Sequence, residues 1–193
     1  MKKRVLLFSA AAILCILAGL TAYHCSFPLD ADLNGLEPAA LQWFNRGRSV
    51  PYEADRLQLY QPVTVGSRTY VPLELDGRLG YLCLSRGFTG RYKFDHSDHG
   101  TGSFCNGVVE SGGERMLPFL GRNDDGRIAR AVFSPEGGGP YELDIPASPV
   151  FLVSAPVDDT VSTGPISIEE ITFYDSQGRD ITESLDLSGG TIQ

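Results

Sequence analysis

The sequence predicts a mainly β protein: an antiparallel β-sandwich or partly closed barrel with one short N-terminal amphipathic helix, preceded by a transmembrane helix. Three observations predict it. Residues 5–23 carry no charge and follow Lys2, Lys3 and Arg4. From residue 56 onward apolar residues recur with a period of two, in short runs bounded by turn formers. Glycine (22) and proline (12) are spread along the whole chain, the distribution of turns between short strands rather than of a disordered tract.

The apolar run comes first. As a helix, residues 5–23 would span roughly 28 Å, close to the hydrocarbon thickness of a bilayer. The three cations ahead of it stay on the cytoplasmic side, which sends the rest of the chain across. The expected location is therefore the cell membrane, single-pass, with the C-terminal domain extracytoplasmic; secretion after cleavage is the alternative. Cleavage signals are poor. Ala22 suits the last position of a signal peptide, but Leu20 two residues earlier is bulky, and His24 before Cys25 and Leu14 before Cys15 fail the small-residue requirement of lipoprotein processing. The division that follows is residues 1–24 as anchor or signal segment, 25–35 as a polar juxtamembrane linker, and 36–193 as the β-rich domain.

That domain is acidic. Beyond residue 24, 13 basic residues face 24 acidic ones, a net charge of −11. Such a surface repels polyphosphate, so nucleic acid is excluded as a partner.

The elements follow in order. Residues 36–46 read as an amphipathic helix: Leu36, Ala40, Trp43 and Phe44 recur at helical spacing, Pro38 suits the first turn and Gly47 stops it. Leu57, Leu59, Gln61 and Val63 share one face of a strand. Residues 70–76 and 79–85 form a hairpin across the Asp76-Gly77 turn signal. Further strands are expected at 104–110, 115–120, 128–134, 141–145, 150–154 and 166–174, with Gly-, Asn- and Asp-rich turns between them.

Few residues carry chemistry. Asp95, His96, Asp98 and His99 put two carboxylates and two imidazoles into five positions, a donor set a transition metal accepts. Spacing of three suits one face only on a helix, however, and Gly100 and Gly102 argue for a solvated polar turn. A metal-dependent hydrolase built on these four residues is the enzymatic alternative. Asp30-Ala31-Asp32-Leu33-Asn34-Gly35 matches the opening of a calcium loop, but Leu41 stands where its bidentate Glu belongs, so an Asx-rich helix start is the reading taken. Outside the cytoplasm Cys83 and Cys105 are candidates for a disulfide, which the chain-entropy model values at about 3 kcal/mol; two buried thiols are the competing reading. Gly-x-Ser-x-Gly, Cys-x-x-Cys, a phosphate-binding loop and His-Glu-x-x-His are all missing. No catalytic residue and no cofactor are assigned.

The most distinctive stretch runs Arg86-Gly87-Phe88-Thr89-Gly90-Arg91-Tyr92-Lys93-Phe94, where cations alternate with rings around two glycines. Arg86, Phe88, Arg91 and Tyr92 form a candidate binding surface, against the alternative of a Gly-pivoted strand connection. Together with Val50-Pro51-Tyr52-Glu53, Leu79-Gly80-Tyr81 and Gly121-Arg122-Asn123, in this order and spacing, it resembles a family of small, uncharacterised single-pass membrane proteins of Gram-positive bacteria. The resemblance covers roughly residues 36–154 and implies a bacterial source and an extracytoplasmic domain; it carries no activity, ligand or catalytic residue. The function expected is a non-catalytic binding or scaffold module of the bacterial envelope, with another envelope protein or a cell-surface ligand as partner.

Overall fold

The structure is a computed structural model and describes residues 2–100, 102–185, 187 and 189–191, with side chains over 12–100, 102–185 and 187. Its first element, α1 (Lys2–Ser26), is 25 residues long, about 37 Å of helix. Two of its hydroxyls bond within the helix: Thr21 Oγ1 donates to the Leu17 carbonyl and Ser26 Oγ to that of Ala22, both at 2.9 Å. Ile13, Leu14, Ile16, Leu17 and Leu20 are 47–67 % exposed. Among the described residues, no helix is long and apolar enough to cross a membrane.

The short helix predicted from residue 36 is α2 (Leu36–Phe44), which starts after left-handed Gly35 and ends three residues before Gly47 reverses the chain at φ 70°. It buries Leu36 and Ala40. The remaining structure is strand: β1 (Leu57–Leu59), β2 (Val63–Val65), β3 (Arg68–Leu75), β4 (Arg78–Arg86), β5 (Tyr92–His99), β6 (Phe104–Asn106), β7 (Val109–Ser111), β8 (Glu114–Arg122), β9 (Arg130–Phe133), β10 (Tyr141–Asp144), β11 (Val150–Pro156), β12 (Ile171–Tyr174) and β13 (Gly189–Thr191).

These strands form three sheets. The first has the order β1-β3-β4-β5, with β2 also on β3; the second β11-β8-β6-β13, with β7 also on β8; the third β10-β9-β12. Pairing is antiparallel except for β13 on β6. The predicted 57–63 strand is broken in two because Pro62 cannot donate to the ladder, although Tyr60 still donates to the Pro72 carbonyl at 2.9 Å. The Asp76-Gly77 hairpin is as predicted: both residues are left-handed and Leu75 faces Arg78. No sheet closes into a barrel among the described residues, so the barrel alternative falls.

Period-two alternation assigns each face to a different core. On β3, Val71, Leu73 and Leu75 turn with Leu82 and Leu84 of β4 toward α2. Tyr70, Leu79, Tyr81 and Cys83 turn the other way and meet Cys105, Leu120, Val150 and Leu152 of the second sheet. The opposite face of that sheet supplies Leu117, Phe119 and Phe151 to a third core shared with Ala131, Phe133, Leu143 and Phe173. Small residues serve this third core where elements come close. Gly121 is one such place, since a Cβ there would meet the Phe104 and Phe151 rings.

Two pieces of structure contradict the polarity of their sequence. Residues 25–35, read as a linker, are docked: Leu29 is buried and exchanges backbone hydrogen bonds with Tyr92 at 3.1 and 2.9 Å. Residues 95–99, read as a polar turn, belong to the strand β5 (Tyr92–His99).

Candidate functional site

β5 decides where the candidate metal ligands go. A strand sends residues three apart to opposite faces, and His96 and His99 obey. His99 points toward α2, edge-on to the Phe44 and Tyr52 rings at 5.6 and 6.4 Å. Its neighbour in the strand, Ser97, lies on the same side and accepts a hydrogen bond from Trp43 Nε1 at 3.0 Å. His96 lies opposite Cys83, edge-on to Tyr81 at 5.8 Å. The four residues Asp95, His96, Asp98 and His99 therefore do not converge on one point. Asp98 instead accepts from the His99 backbone N–H at 2.8 Å.

A different trio does converge. The β4–β5 register shifts between Cys83 and Leu84: Cys83 faces His96 while Leu84 faces Phe94, leaving Asp95 as the extra residue of a β-bulge. The bulge turns Asp95 to the same face as His96. Ser85 Oγ, on that face, donates to Asp95 Oδ2 at 2.8 Å, and Lys93 Nζ lies 4.0 Å from Oδ1. As a result one ligand atom each of Cys83, Asp95 and His96 lies within 4.8 Å of the others.

The surroundings set the protonation of this trio. Cys83 is fully buried, and desolvation pushes its thiol up to about 11. The Arg68 guanidinium and a hydrogen bond from Tyr70 work in the opposite direction, and the Asp95 charge adds to the rise. A thiol held protonated is a poor nucleophile, so Cys83 is not set up for attack with His96 as its base. Tyr70 is also buried, with a phenol pushed up to about 12, chiefly by burial. Its hydroxyl has no well-formed hydrogen bond.

The candidate disulfide pair lies in one core: Cys83 and Cys105 are both buried between the first and second sheets, each as a thiol. Cys15 and Cys25 are exposed on α1.

The ring-and-cation stretch binds the chain's own helix. Tyr23 packs on Phe27 (4.7 Å) and on Phe88 (4.3 Å), and its hydroxyl accepts from Thr89 Oγ1 at 2.9 Å. Arg91 donates through Nε to the Phe27 carbonyl at 2.7 Å, donates to the Pro28 carbonyl at 2.8 Å and pairs with Asp30. Those carbonyls follow the last turn of α1, where acceptors lack helical partners and a cation is favoured. A Cβ at Gly87 would run into the Tyr23 hydroxyl and the Phe27 ring, so any larger residue there would displace them. Tyr92 bonds Leu29, and Arg86 stands 5.9 Å over the Tyr92 ring. Phe88 stays widely exposed, at 84 %, and Arg86 is exposed as well.

The calcium-like segment is a turn: the Asn34 N–H donates to Asp32 Oδ1 at 3.1 Å before α2 begins. Two surface depressions among the described residues carry no catalytic set. One of about 510 Å³, bounded by Glu136, Thr160, Pro165 and Glu170, has neither histidine nor cysteine in its wall. Another of about 220 Å³ presents Arg122, Asp124, Asp125 and Arg127, also without either. Two other resemblance residues are structural: Arg122 pairs with Glu74, and Asn123, fully buried, pins the Ile128 and Pro146 carbonyls at 2.9 and 3.0 Å. Comparison with family models, curated proteins and solved structures gives no match for this chain.

Proposed function

We propose that this chain is a tethered, non-catalytic module of the bacterial envelope: α1 holds it in a lipid bilayer through residues 5–23, and a β-sandwich domain outside the cytoplasm binds another envelope component. One observation carries the reading. The described part of α1 exposes Ile13, Leu14, Ile16, Leu17 and Leu20 on one broad face, every residue from 12 to 20 is exposed, and no other element covers them. An apolar surface of that kind is costly in water and favourable in hydrocarbon. The sequence extends it without a charge back to Val5. Two features support a non-catalytic role: Cys83 is held as a thiol, and the two histidines of β5 face apart.

The clamp around Tyr23, Phe27 and Arg91 gives the tether a purpose beyond attachment, because it holds the domain at a fixed angle to its helix. An acidic surface presented in this way suits a partner with basic groups. Fractionation tests the proposal. Full-length protein should stay in the membrane pellet after alkaline carbonate washing, and a chain lacking residues 2–24 should be released. Recovery of the full-length chain in the soluble cytoplasmic fraction would overturn it.

A further inference from the structure

We propose that Cys83, Asp95 and His96 form a binding site for one divalent transition ion of the zinc class, with Tyr70 and Arg68 supporting it from the buried side. The inference goes beyond the tethering reading and stands without it.

Donor chemistry argues first. A thiolate, an imidazole and a carboxylate are the ligand types zinc takes, with bonds of about 2.0–2.3 Å that place tetrahedral ligands about 3.3–3.8 Å apart. The three ligand atoms already lie within 4.8 Å of one another. Closing that gap takes rotations of side chains that are only partly enclosed: Asp95 is exposed and His96 half-buried. The exposed side leaves room for water as a fourth ligand. Charge also balances, since one thiolate and one carboxylate neutralise a dication.

The bulge is the second argument. Without the register shift between Cys83 and Leu84, Asp95 would face α2 and only two donors would remain. A third observation is the buried Tyr70 hydroxyl, which makes no well-formed hydrogen bond and lies close enough to act on the Cys83 sulfur. Polar groups in a core are otherwise almost always paired. Once the ion binds, the Cys83 thiol gives its proton to water and the sulfur becomes an acceptor. Tyr70 and Arg68, which already act on Cys83, can then donate to it.

Cobalt titration of the full-length chain in detergent, under reducing conditions, tests the site. The expected result is uptake of one ion per chain with a sulfur-to-cobalt charge-transfer band, displaced by zinc and accompanied by release of one proton. Cys83→Ser should abolish the band and His96→Ala should weaken binding steeply, whereas Asp98→Asn and His99→Ala should leave it unchanged. Tyr70→Phe should keep the band and weaken affinity by about 10-fold, the size expected of an outer-sphere partner. X-ray absorption of the zinc-loaded wild type, expected to show one sulfur among light-atom neighbours, needs no variant to fold. Absence of stoichiometric uptake by the folded wild type would overturn the proposal, as would a sulfur-free shell, a band that survives in Cys83→Ser, or one lost with His99→Ala.

Discussion

His99 shows how a single side chain couples this fold to pH. Burial lowers its affinity for a proton below the ordinary value of 6.5; Arg78 and Arg48 add to the effect and Asp98 opposes it. The unfolded chain therefore takes up this proton before the folded one does. Stability from this source is fully present above about pH 6.5 and is lost as pH falls from there through the folded value. Thermal unfolding followed between about pH 7.5 and 5 should show a falling midpoint, and His99→Gln should flatten that part of the curve. An unchanged slope in the variant would assign the loss to other groups. In the sequence His99 reads as a partner of His96. Only the strand conformation of residues 92–99 reveals that the two serve different faces, and nothing in Asp-His-Ser-Asp-His announces a strand, because its apolar contacts are confined to Tyr92 and Phe94.

At the scale of elements, the clamp between α1 and the β4–β5 connection is where the structure adds most to the sequence. The clustering of rings and cations at residues 86–94 was legible; its partner was not, because Tyr23 and Phe27 lie more than 60 residues away. Arg91→Ala removes two hydrogen bonds to carbonyls and an ion pair from a largely buried guanidinium. The expected cost is about 1–3 kcal/mol of stability, with faster proteolysis between residues 24 and 35 while the β domain stays folded. Proteolysis at the wild-type rate would show that the clamp does not hold the segment. Hairpin β3–β4 was legible because Asp-Gly between alternating strands is a strong local signal. The Cys83–His96 approach was not, since a one-residue bulge changes which side chains meet and leaves no mark in spacing. β13 was missed for a related reason: a Gly-Gly-Thr strand held by parallel pairing to β6 carries no hydrophobic pattern of its own.

At the scale of the molecule, three cores in series join α2 and three sheets, while the described apolar side chains of α1 between residues 12 and 20 remain without a core. The mainly β class followed from period-two runs between turns. The stacking of open sheets did not, because alternation says that a strand has two faces and not which sheet each face meets. The account depends on where α1 resides, and the cysteines report it. Cys25 lies at the domain end of α1, Cys15 lies within the apolar run, and Cys83 and Cys105 are buried. The direct measurement is labelling of cells with a membrane-impermeant thiol reagent. The account predicts modification of Cys25 in intact cells, lost in Cys25→Ser, and modification of Cys15 only after detergent is added. Protection of Cys25 until the cells are lysed, with Cys15 then reacting without detergent, would contradict it.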